Sequence, residues 1–194
     1  SSISILEQGI TKPVEHQIPI ITPFVSDGGL DEIEDDGLIW RVIPSEADSA
    51  YSGSMWANVY ELSEMAIVHV DNGFGRSYAR MFADAYGEEN ICGTFAYPTN
   101  QIVFDAEDGS FPQGGFHGGM TVDAGCQNFV IATGYDQNSQ TAALIEELKQ
   151  NIYDARIVTS HHIPGPNGAD AFFENMTDES RLAGMVGGKP MAWE

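Results

Sequence analysis

Positive charge is what this sequence has least of. It holds 8 basic side chains against 29 acidic ones in 194 residues, a formal net charge of −21, and its lysines are Lys12, Lys149 and Lys189 alone. A surface of that sign repels phosphate backbones and anionic lipid, so nucleic-acid binding is not expected. It reads as a solvated surface open to tuning for high salt, or as an acidic groove for a cationic partner. Long apolar runs are missing too. None approaches the ~18 uninterrupted residues that a membrane span needs, so membrane insertion is not expected, and "SSISILEQGI" lacks the charged-then-apolar order of a signal peptide. Cysteine is scarce: Cys92 and Cys126 are too few for a disulfide framework and fit no zinc spacing. Each opens or immediately precedes a predicted strand, which favours two buried, unbridged thiols over a single disulfide. If those strands flank a third, they stand two inter-strand spacings, roughly 9 to 10 Å, apart, beyond the ~7 Å reach of an unstrained bridge.

What is present is alternation. With 42% hydrophobic residues the chain can bury one good core or two small ones, and apolar runs alternate with helical patterns, as βαβ units on a parallel sheet require. The predicted strands are "IPIIT" (18–22), "LIWRVI" (38–43), "MAIVHV" (65–70), "ICGTFAY" (91–97), "NFVIATG" (128–134) and "ARIVTS" (155–160). They show little polar alternation, so both faces of the sheet should be covered. Between them, "SEADSAYSGSMWANVYEL" predicts a helix capped by Ser45 with Ala50, Met55, Val59 and Leu62 near one core-facing side. "GRSYARMFADAYG" stacks Tyr78, Phe82 and Tyr86 one turn apart and stops at Gly87, and "DQNSQTAALIEELKQN" runs from an Asp136 cap through Leu144 and Leu148. The stretch 105–125 holds six glycines and a proline where a crossover helix belongs. A loop and a short, poor helix are expected there.

Catalytic and cofactor motifs are absent. "GFGRSY" puts Tyr78 where a dinucleotide fingerprint needs its third glycine, and it lacks the Lys-Ser/Thr of a phosphate loop. "YSGSMW" is not a G-x-S-x-G elbow and there is no H-E-x-x-H. His69 sits inside an apolar strand as a satisfied core residue. His161 and His162 are neighbours whose side chains diverge on an extended segment, and "DAEDGS" departs from the calcium-loop template, so no metal, no cofactor and no catalytic residue is expected. Position supplies the one site rule: in open parallel sheets, ligands bind beyond the carboxyl ends of the strands. That rim holds Asp71 to Gly75 after "MAIVHV", Tyr135 and Asp136 after "NFVIATG", and Ser160 to His162 after "ARIVTS". Gly73 and Gly75 would offer backbone N–H groups and a helix N-terminus to a small anionic or polar ligand.

The order "IPIITPFVSDGGLDEIEDDGLIWRVIPSEADSA", "MAIVHVDNGFGRSYARMFADAYGE", "FVIATGYDQNSQTAALIEEL", "RIVTSHHIPG" resembles the type I periplasmic solute-binding proteins, in the leucine/isoleucine/valine-binding branch with its receptor relatives. The resemblance covers nearly the whole chain but only the middle of the family's pattern. It implies an α/β fold: an open parallel sheet with flanking helices, a three-layer αβα lobe of two-lobed architecture. Residues 1–44 would be a remnant of the first lobe with a hinge crossing, 45–182 the second lobe, and 183–194 a returning hinge segment. It implies no enzyme. A small polar, amino-acid-like solute would be bound by lobe closure for an ABC transporter permease or a receptor, in the periplasm or outside the cell. Because the resemblance places the early first lobe before Ser1, this chain alone would bind weakly or not at all, and its exposed remnant, residues 1–44, could form a homodimer. Ligand contacts carry over to Ser1 and Ser2, Ser26, Phe74 and Tyr135. His161 stands where the family has an acidic residue for the ligand's amino group, a role an imidazole cannot fill, so Asp136 would substitute or the ligand is not an ordinary α-amino acid. The competing readings are an enzyme on the same scaffold and an extracellular interaction module without a ligand.

Overall fold

The computed structural model describes residues 13–23, 25–26, 28, 30, 33–104, 116–133, 138–152, 154–160 and 185–187. Two parallel sheets organise them. A small one pairs β1 (Ile20–Thr22) with β2 (Ile39–Arg41). The main sheet has five strands, β3 (Met65–Val70), β4 (Ile91–Tyr97), β5 (Asn128–Ala132), β6 (Ile157–Thr159) and β7 (Met185–Gly187), in the spatial order β4-β3-β5-β6-β7 with every pairing parallel. Numbered along the chain, its first four strands stand in the order 2-1-3-4. β7 arises from the stretch taken as a return hinge, and here it adds to β6 as an edge strand.

The unbroken apolar run "MAIVHV" is buried at every position because β3 is an interior strand, paired on both edges and with helices over both faces. Ala66, Val68 and Val70 meet Phe129, Ile131, Leu144, Ile145 and Leu148 on one side. Met65 and Ile67 meet Tyr78, Phe82, Val130 and Val158 on the other. His69 is buried with its Nδ1 3.0 Å from the Val70 carbonyl, a satisfied core residue as expected.

Helix α1 (Glu46–Val59) begins in a capping box: the Asp48 N–H donates to Ser45 Oγ and the Ser45 N–H to the Asp48 carboxylate. Its buried face is only partly the expected one: Ala50 is buried and Leu62, just beyond the helix, packs against the core. Ser49, Ala50, Gly53, Ser54 and Ala57 point inward, while Met55 and Val59 are exposed. The reason is close approach: a Cβ at Gly53 would stand 2.9 Å from the Tyr78 hydroxyl, so only small residues fit where α1 crosses α2 (Gly73–Tyr86). α2 stacks Tyr78, Phe82 and Tyr86 with ring centroids 6.4 and 5.5 Å apart, and it ends at Gly87, whose φ of 97° suits glycine. The glycine-rich crossover yields a five-residue helix, α3 (Gly119–Asp123). Helix α4 (Asn138–Asn151) buries Leu144 and Leu148; its expected Asp136 cap lies outside the described residues.

The expectation of two unbridged thiols is wrong: Cys92 and Cys126 form a disulfide, with their Cα atoms 5.6 Å apart. The strands do flank β3, but the cysteines do not sit in its ladder. Met65 pairs with Ile91 and Ala66 with Gly93, so Cys92 is the extra residue of a bulge. Cys126 lies before β5 starts, where the chain passes beneath β3 and the Gln127 N–H donates to the Glu64 carbonyl. Both side chains meet under the foot of β3 instead of across it.

Candidate ligand-binding rim

The rim lies at the carboxyl ends of the main strands, and the loop after β3 shows how it is built. The Asp71 N–H donates to the Tyr97 carbonyl at 2.7 Å, locking the ends of β3 and β4 together. Asn72 then caps α2 from an extended conformation, its Oδ1 accepting from the Gly75 N–H at 2.8 Å. The two glycines of "NGFG" have different jobs. A Cβ at Gly75 would lie 2.0 Å from the Val70 carbonyl oxygen, whereas one at Gly73 meets nothing within 4 Å. Gly75 therefore lets the helix start directly over the strand that feeds it, and its N–H is committed to Asn72 instead of being offered to a ligand. Gly73 faces open space, as a rim position should.

Phe74, a sequence candidate, is half-buried, with its ring 6.0 Å from that of Tyr78 at the upper edge of the α1–α2 core. Beside it an element that sequence reasoning missed comes into view. Arg76 places a guanidinium in the first turn of α2, where the helix macrodipole disfavours a cation, and it pairs there with the Asp71 carboxylate. Both side chains are more than half exposed. The signal was available: a basic residue is rare in this chain, and this one directly follows the glycine pair.

Beneath the β5 and β6 ends lies a cluster of buried hydroxyls, also missed. Ser160 Oγ donates to the Thr133 carbonyl at 3.1 Å, and Thr141 Oγ1 donates to Thr133 Oγ1 at 2.9 Å. Burial pushes the pKa of the Tyr97 hydroxyl up to about 12, with the nearby Thr133 acting in the opposite direction. Tyr78, on the other face, is likewise raised by burial and opposed by Ser49. Gln140 joins the first turn of α4 to the loop after β4 by donating to the Thr99 carbonyl at 2.7 Å. The clue to this floor was that two otherwise apolar strands close on hydroxyls, "VIAT" and "IVTS".

Ser26 is half-buried, and its carbonyl accepts from the Glu46 N–H at 2.8 Å and from Arg41 at 3.4 Å. That ties the loop after β1 to the start of α1. Since α1 runs down into the foot of β3, its start lies at the same end of the sheet as the rim. Ser1, Ser2, Tyr135, Asp136 and His161 lie outside the described residues. Thr133 and Ser160, two residues before Tyr135 and one before His161, are hydrogen-bonded to each other. Among the described residues no group of three His, Cys, Asp or Glu could hold a metal ion, and no helix is long and apolar enough to cross a membrane.

No protein-family model matches the sequence, and no curated protein matches it. Solved structures do. A branched-chain amino acid ABC transporter protein from Rhodospirillum rubrum superposes with a TM-score of 0.65 at 16% identity, over 89% of this chain and 44% of that one. A type 1 periplasmic binding protein from Bordetella pertussis gives 0.64 at 13% identity, over 92% and 45%. A solute-binding protein of an ABC transporter from R. palustris, solved with 4-hydroxybenzoate, gives 0.59 at 12%, over 81% and 41%. The chain thus spans less than half the length of each of these proteins. With its 2-1-3-4 parallel order and helices on both faces, it has the α/β fold of the type I periplasmic binding proteins.

Proposed function

We propose that this chain belongs to a non-catalytic solute-binding protein, with a carboxylate-bearing small molecule held at the rim above β3, β5 and β6. The observation that carries the reading is the rim itself. An open glycine, Gly73, and a rare cation, Arg76, stand at the start of α2, at the same end of the sheet as a floor of paired neutral hydroxyls that, among the described residues, holds no nucleophile with an adjacent base. The neighbours of like fold are transporter solute-binding proteins, which supports binding over catalysis. Closure of two lobes on the solute would be the mechanism, stabilised by the ligand's differential affinity for the closed state. A transporter permease or a receptor would read out that closure. A disulfide suits an oxidising compartment, in line with a periplasmic or extracellular location.

His161 bears on the class of solute. With an imidazole in place of the carboxylate that would meet an ammonium, a carboxylate lacking an amine is favoured, and 4-hydroxybenzoate in one neighbour is a solute of that kind. An α-amino acid would need Asp136 to supply the missing charge. Amide chemical-shift mapping with 4-hydroxybenzoate and with L-leucine, each raised to several times the ~1 mM dissociation constant that corresponds to about 4 kcal/mol, tests this. The expected result is shifts confined to Gly73, Phe74, Thr133 and Ser160, larger with 4-hydroxybenzoate. No shifts with either probe, or shifts confined to the foot of the sheet, would refute it.

A further inference from the structure

We propose that the outward face of α1 is the contact surface of a homodimer, formed as salt screens the charge of the chain. α1 is built inside out: its small residues are buried, and its large ones, Tyr51, Met55, Trp56, Val59 and Tyr60, are exposed by 60, 52, 38, 67 and 50%. Tyr51, Met55 and Val59 lie one turn apart along one stripe, and Trp56 stacks on Tyr60 beside it with ring centroids 5.8 Å apart. Single exposed apolar residues are ordinary; five on one helix form a patch.

Area and charge select the occupant. Aromatic side chains offer roughly 150 to 250 Å² each and Met and Val somewhat less, so these five at about half exposure present on the order of 400 to 500 Å². Two such faces together hide up to about 1,000 Å², the lower bound for a specific interface. From Ser49 to Tyr60 there is no charged residue, in a chain carrying −21. A copy of the same stripe therefore meets this one without desolvating a charge, and a two-fold axis makes the patch self-complementary. Repulsion between the two acidic bodies opposes this at low ionic strength. It fades as the screening length falls from about 10 Å at 0.1 M to about 3 Å at 1 M salt, while the apolar contact remains.

Sedimentation equilibrium of the whole chain at 0.1 and 2 M NaCl tests the proposal, with Val59→Glu, Val59→Lys and Trp40→Glu beside the parent. Trp40 is exposed on β2, outside α1, and so controls for pairing through residues 1–44. The parent should dimerise with a dissociation constant on the order of tenfold lower at 2 M than at 0.1 M salt. Both Val59 variants should stay monomeric at 2 M, whichever charge they add, and Trp40→Glu should match the parent. Far-UV circular dichroism verifies that each variant keeps its helices. A Tyr51→Ser variant, which adds no charge, should also weaken the dimer and serves if a charged one fails to fold. A parent that remains monomeric at 2 M, association that salt weakens, or a dimer lost in Trp40→Glu but kept in the Val59 variants would overturn the proposal.

Discussion

Removing the Cys92–Cys126 bridge should cost this protein about 4 kcal/mol of stability. The bond closes a loop across a sequence separation of 34. In the chain-entropy account, loop-closure entropy withheld from the unfolded state for a ring of that size is worth roughly 3.8 kcal/mol at 25 °C. The loop so closed spans the body of β4, the glycine-rich crossover and α3. Cys126 is buried and Cys92 sits in a bulge where ladder bonds are already interrupted. The perturbation is Cys92→Ser with Cys126→Ala, compared with the oxidised parent and with the parent in reductant. Urea unfolding at constant pH is the assay. The midpoint should fall in proportion to the lost free energy, and in a chain of this size Tm should drop by roughly 8 to 16 °C. A loss below about 1 kcal/mol, or two reactive thiols in the native, non-reduced protein, would refute the reasoning.

Gly75→Ala forces a Cβ against the Val70 carbonyl and should destabilise by at least about 1 to 3 kcal/mol, whereas Gly73→Ala, with open space around it, should be neutral or stabilise by a few tenths; paired thermal melts compare them. Asn72→Ala removes the cap of α2 and should cost about 1 kcal/mol by the same measurement. Tyr97 keeps its proton to about pH 12 in the folded state and loses it near 10 when unfolded. The folded form thus holds the extra proton in that window, and its contribution to stability is present below pH 10 and lost as pH rises to 12, at about 1.4 kcal/mol per unit. Urea titrations at pH 9 to 11 should show this slope, and Tyr97→Phe should reduce it by that share, leaving the part that the raised Tyr78 contributes.

The main sheet was legible because its apolar runs are unbroken and evenly spaced; "MAIVHV" and "ICGTFAY" form strands with the expected ends. So was α2, whose aromatic stripe is large, periodic and closed by a glycine. α1 misled for a physical reason: large residues usually seek the core, but Gly53 and its small neighbours let two helices approach so closely that the large ones were left outside. The disulfide was hidden by a one-residue bulge, which no count of strand spacings contains. At the rim, position along the sheet pointed to the β3 loop, and Gly73 lies open there. It could not tell that Gly75 serves its own helix, that Arg76 pairs with Asp71, nor that the Thr133, Thr141 and Ser160 hydroxyls join in one network, whose contacts run up to 27 residues apart in sequence.

The bridge beneath β3 also changes how the chain would bear a load. Pulled from its termini, the protein transmits force through the sulfurs and bypasses the residues between Cys92 and Cys126, including the whole of the β4 body and α3. At roughly 3.3 to 3.6 Å per extended residue, about 120 Å of contour length stays concealed until the bond is reduced. An oxidised molecule should therefore rupture at a shorter total extension than a reduced one. β4 cannot be peeled from the edge of the sheet by tension alone.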